Sequence, residues 1–256
     1  MKSLSDFQIL PQPNETTCGP TCLQAVYQFF DDNIELPEVI EHTPQLDEDG
    51  GTLGVLLGLS ALGRGYDCKI FTYNLRIFDP SWFEPTKLKP DEHEPYFHGP
   101  NERIPCVDLY EKLNEQIRVK EGVKFTNACR AYQQFLKSGG HVRMHELNKS
   151  LIRHFLEHSM PILTGLSATY LYMSARERQR DMKPDDIRGT PTGHFVVLCG
   201  ETRHKKLVRV ADPYVPNPFA KDRIYEVGFD RVINAILLGV LTYDANLLII
   251  KPKKKE

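Results

Sequence analysis

Three short stretches carry residues whose types and spacing can do chemistry. The first is Gln12, five intervening residues, and then Cys18-Gly19-Pro20-Thr21-Cys22-Leu23. A thiol becomes a nucleophile when its thiolate is stabilised, and the positive end of a helix dipole supplies part of that stabilisation. Gly19, without a side chain, lets a substrate backbone come close to the sulfur. The second stretch is Gly193-His194-Phe195-Val196-Val197-Leu198, a histidine at the head of an apolar run. A base for Cys18 must be held rigidly, and the start of a core strand holds it. The third is Val210-Ala211-Asp212-Pro213-Tyr214. If Asp212 reaches the imidazole edge away from the sulfur, it fixes tautomer and orientation. The side-chain amide of Gln12 and the backbone N–H of Cys18 are then candidate donors to an oxyanion.

Each residue also has a plainer reading. Cys18 has an alternative as an inert cysteine at a helix start, and His194 as a satisfied core histidine. Asp212 could simply cap the turn before Pro213, and Gln12 could be an ordinary loop residue. Taken singly, these features are weak; the ordered set Gln, Cys-Gly, Gly-His, Asp-Pro favours the chemical reading.

The elements that must position them follow from periodicity. Residues 20–30 place Leu23, Val26, Tyr27 and Phe30 on one helical face, with Thr17 in the N-cap position and Pro20 in the first turn. Cys18 therefore falls at a helix N-terminus. Two apolar runs, 194–199 and 207–211, are joined by a polar link and read as a β-hairpin. The eighteen steps from His194 to Asp212 bring imidazole and carboxylate to the same end of that ribbon. Further helices are expected at 52–64, 106–137, 144–158 and the second half of 225–238, with strands at 66–73, 162–166 and 247–251. Residues 78–105, rich in proline, read as a long surface excursion. Residues 167–190 read as a polar, Arg-rich loop; its run 176–180, just before His194, is a candidate lid. Helices followed by a hairpin-rich sheet imply an α+β fold.

Composition sets outer bounds. The chain has 256 residues, 41% hydrophobic and 26% charged, with a net charge of −2. One domain, 1–256, is the expectation. The charge balance gives no reason to expect a nucleic-acid partner. Apolar runs are too short for a membrane span, and residues 1–15 lack a signal peptide's apolar stretch. Six cysteines without a secretory signal suggest free thiols and a cytoplasmic location. Cys22, one turn after Cys18, belongs to the core. His141 and His145 stand four apart, with His93 and His98 as conceivable companions, but no HExxH or acidic pattern accompanies them. A packed or solvated role is expected, with no metal and no organic cofactor. Trp82, Phe83, Tyr96 and Phe97 are expected to pack their segment onto the body.

The motif set resembles the papain-like cysteine peptidases that cleave bacteriocin leader peptides after a double glycine, in particular their stand-alone relatives. The resemblance rests on Gln12, Cys18 to Leu23, the His194 strand and Asp212-Pro213, and covers roughly 1–77 and 141–251. It leaves 78–140 as an atypical insertion, expected to shape the substrate cleft. Thr17 stands where transporter-borne members carry an acidic residue. Their transmembrane and ATP-binding domains have no counterpart here, so bacteriocin export is not implied. The resemblance implies a helical lobe bearing the nucleophile on an antiparallel sheet lobe. It also implies a Cys18–His194–Asp212 triad, Gln12 in the oxyanion hole, and a peptide or protein substrate cut at small residues. Hydrolysis through an acyl-enzyme is the leading expectation. Acyl transfer by the same residues, or a silent peptide-binding module, are the alternatives.

Overall fold

A computed structural model describes residues 3–45, 51–86, 97, 99, 101–178, 180–202 and 206–253. In chain order, the first helices are α1 (Cys18–Phe29), α2 (Leu36–His42) and α3 (Gly54–Gly63), followed by strand β1 (Tyr66–Thr72). Next come the short β2 (Phe83–Pro85) and β3 (Arg103–Pro105), helices α4 (Leu109–Val119) and α5 (Val123–Lys137), and β4 (His141–Arg143). The second half holds α6 (Lys149–Glu157), β5 (Ile162–Ser167), α7 (Ala168–Tyr172), β6 (Gly193–Thr202), β7 (Leu207–Ala211), β8 (Ile224–Gly228), α8 (Phe229–Leu238) and β9 (Asn246–Pro252).

Seven strands form one sheet in the order β4-β1-β9-β5-β6-β7-β8. Only β1 and β4 run parallel; every other neighbouring pair is antiparallel. This is the α+β class, with helices on both faces of the sheet. α1 packs on β5 and β6, and α3 on β1 and β9. Opposite them lie α6, joined to Phe71 of β1 through Phe155, and α8, joined to α6 by an Arg153–Phe229 contact. With both faces covered, β1 is buried nearly throughout instead of alternating between buried and exposed positions.

Several sequence expectations need correction. Residues 144–158 are not one helix: His141–Arg143 pair with β1 as an edge strand, and the helix starts only at Lys149, capped by the Asn148 side chain on Leu151 N. His141 and His145 therefore do not share a helix face. Residues 106–137 split into α4 and α5 around Gly122, whose φ of 129° interrupts a continuous helix. The loop expected at 167–190 begins with α7. Nor is the stretch 78–105 a surface excursion only. Phe78, Phe83 and Phe97 are core residues, and Glu102 is 2% exposed.

Glu102 is buried because it meets a buried cation. Lys69, on β1 and fully inaccessible, places Nζ 3.0 Å from Glu102 Oε2 and 2.7 Å from the Phe97 carbonyl. Arg143 of β4 approaches the other carboxylate oxygen at 3.6 Å. Burial pulls the Lys69 ammonium down to about 8, against the opposing pull of Glu102. His93 and Tyr96 lie outside the described residues, as does His98.

Candidate active site

Cys18 opens α1, and its position follows from local chemistry. Pro20, lacking an N–H, sits where a helix needs none, and the chain before the helix turns at residues 13–16. Thr17 occupies the N-cap position but its side chain makes no cap hydrogen bond. It turns back to donate to the Asn14 carbonyl at 3.0 Å. A Cβ on Gly19 would lie 2.6 Å from Thr52 Cγ2 and 3.2 Å from Leu57 Cδ1. The missing side chain therefore serves close packing of α1 on α3, not access for a substrate. Cys22 is fully buried and donates to the Phe195 carbonyl at 3.3 Å, and burial raises its thiol pKa.

The hairpin β6–β7 brings the other two residues together. Val197 pairs with Ala211, so Asp212 continues opposite Val196 and shares a face with His194, one diagonal step away. β6 is longer than its partner, and a register shift at Leu198/Gly200 is taken up by Gly200 at φ 154°. His194 Nε2 lies 2.8 Å from Asp212 Oδ1. That leaves the Nδ1 edge of the ring for another partner, and Cys18 is near enough to act on the imidazole electrostatically. All three are nearly removed from water, at 9%, 8% and 0% exposure for Cys18, His194 and Asp212. Burial depresses the imidazole pKa, but the Asp212 charge, reinforced by Cys18, outweighs it and lifts His194 to about 10. Burial pushes the Asp212 carboxyl upward, while His194 and the surrounding donors pull it, on balance, below the usual carboxylate range.

Gln12 joins this assembly through its backbone. Its N–H donates to the Pro213 carbonyl at 2.9 Å, tying the N-terminal segment to the Asp-Pro turn. Its side-chain amide donates to the Asn14 carbonyl at 3.0 Å, and its buried Oε1 has no partner among the described residues. Gln12 and His194 border a cavity of about 360 Å³, together with Glu15, Tyr172, Met182 and Tyr214. Glu177 and Met182, from the Arg-rich segment, are among the residues that line this cavity. The arginines of that segment face elsewhere: Arg178 pairs with Asp181 and Arg188 with Asp185. Among the described residues, none of 78–140 lines this cavity. A larger concavity of about 610 Å³, lined by Tyr27, His42, Leu59 and Arg64, contains none of the four site residues.

Sequence reasoning missed three aromatic residues. Tyr172 and Tyr225 donate to Asp212 Oδ2 at 2.7 and 2.8 Å, and the backbone N–H of Tyr214 donates to Oδ1 at 3.0 Å. A usable signal was Tyr225 inside an alternating strand, since a buried phenol needs a polar partner. Among the described residues no group of His, Cys, Asp and Glu is arranged to hold a metal ion. His145 Nδ1 bonds the Glu146 carbonyl at 2.6 Å.

No family model matches the chain, and no curated protein does. Several solved structures are similar to it, two of them as follows. One is the peptidase domain of Streptococcus ComA, a bifunctional ABC transporter involved in a quorum-sensing pathway. It is 10% identical with a TM-score of 0.41, over 96% of this chain and 99% of that one. The other is xylellain, a cysteine protease from Xylella fastidiosa. It is 11% identical with a TM-score of 0.49, over 97% and 84% of the two chains. Both TM-scores lie below 0.5, so what chemistry this chain performs is decided by its own geometry.

Proposed function

We propose that the protein is a papain-like cysteine peptidase or amide hydrolase acting through Cys18, His194 and Asp212. The observation that carries this reading is the buried imidazole of His194, 2.8 Å from the Asp212 carboxylate and within electrostatic reach of Cys18 at the start of α1. His194 takes the Cys18 proton, and the buried Asp212 stabilises the imidazolium that results. The sulfur attacks an amide carbonyl, and the Cys18 backbone N–H, at the uncapped start of α1, donates to the oxyanion. The Gln12 amide is the second donor once it leaves the Asn14 carbonyl. His194 then protonates the departing amine, and water releases the acyl group from sulfur.

The substrate is a peptide or protein, and a preference for small residues at the cut follows from the family resemblance. A cytoplasmic location suits a reactive thiol, because reductants there keep it free. Among the described residues no helix is long and apolar enough to cross a membrane.

The test is peptide hydrolysis by wild type and Cys18→Ala. Loss of at least about 10³-fold in turnover, with an unchanged melt, is expected. Retained activity in Cys18→Ala refutes the assignment. Adding a primary amine to the assay separates hydrolysis from acyl transfer by the product formed.

A further inference from the structure

Asp212 has more donors than an orienting carboxylate requires. Oδ1 receives His194 and the Tyr214 backbone, which is enough to fix its direction. Oδ2 receives two phenols from elements outside the hairpin, Tyr172 at the end of α7 and Tyr225 on β8. Tyr225 lies opposite Val210 and so faces Asp212 along the diagonal. Its ring stacks on Phe219 at 4.9 Å, and Tyr172 stacks on Tyr214 at 6.1 Å, so both phenols are held in place.

The proton shared by His194 and Asp212 can reside on either partner. On the imidazole it leaves a charged pair; on the carboxyl it leaves a neutral one. In a buried site desolvation favours the neutral pair. A phenol donating to Oδ2 favours the charged one, because a carboxylate accepts at both oxygens whereas a protonated carboxyl loses acceptor capacity. Only with the proton on nitrogen does Cys18 face an imidazolium.

We propose that Tyr172 and Tyr225 are positioning residues that hold the shared proton on His194 by clamping Asp212 Oδ2. This rests on the triad reading above. The groups facing Asp212 are His194 from β6, Cys18 and Cys22 from α1, Tyr172 from α7, Tyr225 from β8 and the adjacent Tyr214. Glu15 and Glu177 act on Tyr214 from the cavity side. Of these, only the two phenols donate to Oδ2. Tyr172 also walls the cavity, whereas Tyr225 is buried.

The experiment measures alkylation of Cys18 by iodoacetamide from pH 5 to 9 in wild type, Tyr172→Phe, Tyr225→Phe and the double variant. The same substitutions are repeated in an Asp212→Asn background. Side-chain ¹⁵N shifts of His194 at pH 7 accompany the rates. Each lost phenol is expected to move the acid limb up by about one pH unit, which is about tenfold in rate at a fixed pH on that limb. The ¹⁵N shifts should move toward neutral imidazole. In the Asp212→Asn background the same substitutions should leave the profile unmoved. Phe keeps each ring, and if the double variant does not fold the partly exposed Tyr172→Phe decides alone. Profiles and shifts that superimpose on wild type overturn the inference, as does an equal shift in the Asp212→Asn background. A wild-type Cys18 no more reactive at pH 6 than free cysteine sinks the triad reading itself, and this inference with it.

Discussion

Replacing Glu102 by Gln is expected to be among the most destabilising single changes outside the proposed active site. The substitution conserves shape and removes charge. Lys69 is left fully buried with its Phe97 carbonyl but without its carboxylate. Breaking one half of a buried ion pair costs about 3–5 kcal/mol. At about 2–4 °C per kcal/mol for a chain of this size, the melt should fall by roughly 6–20 °C. Lys69→Met should cost less. Glu102 then keeps Arg143 at 3.6 Å and the Gly99 N–H at 3.3 Å, so no charge is stranded. The pair also sets a pH signature. With Lys69 held near 8 in the fold, the unfolded chain keeps its proton to higher pH. Stability in wild type therefore rises with pH between about 8 and 10.5, and Lys69→Met removes that rise. Thermal melts by circular dichroism at pH 7, 8 and 10 test both statements. A loss below about 1 kcal/mol in Glu102→Gln, or Lys69→Met as costly as Glu102→Gln, refutes the reasoning.

Cys22→Ser should cost about 1–2 kcal/mol in a denaturant titration while leaving Cys18 alkylation near wild type, because Cys22 only fills space and bonds the Phe195 carbonyl. Gln12→Ala should lower turnover on a cleaved peptide by about 10²-fold with an unchanged alkylation rate, since it touches the oxyanion and not the sulfur; an equal loss in both assays contradicts that role. Asp244 is buried, accepts from Gly54 N at 2.7 Å, and is pushed by burial up to about 7. Its folded state binds a proton more tightly than the unfolded chain, so wild-type stability should fall as pH rises from about 4 to 7, and Asp244→Asn should flatten that slope in melts. Excising residues 80–104 should abolish the cooperative melt, because Phe83, Phe97 and Glu102 leave the core with them.

The site was legible because its parts are local. A helix start at Cys18 follows from Pro20 and the Leu23/Val26/Tyr27 face, and a hairpin that aligns His194 with Asp212 follows from chain distance alone. What was not legible depends on contacts between distant segments. The purpose of Gly19 is set by Thr52 and Leu57 across the α1–α3 interface, and the clamp on Asp212 by tyrosines from α7 and β8. The stretch 78–105 misled because proline density and charge read as surface. Nothing near Glu102 in sequence reveals that Lys69, on a strand that reads as alternating, is buried to receive it. At 141–145, pairing with β1 overrode an apparent helical period, which spacing alone could not foresee.

The position of β9 has a consequence in time. Residues 246–252 lie in the middle of the sheet, with Tyr66 paired to Pro252 and Ile162 to Ile249. A chain made from its N-terminus at roughly 5–20 residues per second exposes β1 for roughly 10–40 s before its central partner exists. Throughout that interval β1 and β5 have a vacant lane between them, and the helix bearing Cys18 cannot settle across a finished sheet. A nascent chain thus carries Cys18 long before the sheet beneath it is whole. The proposed site is completed as one late event, when β9 slots between two strands that have been waiting.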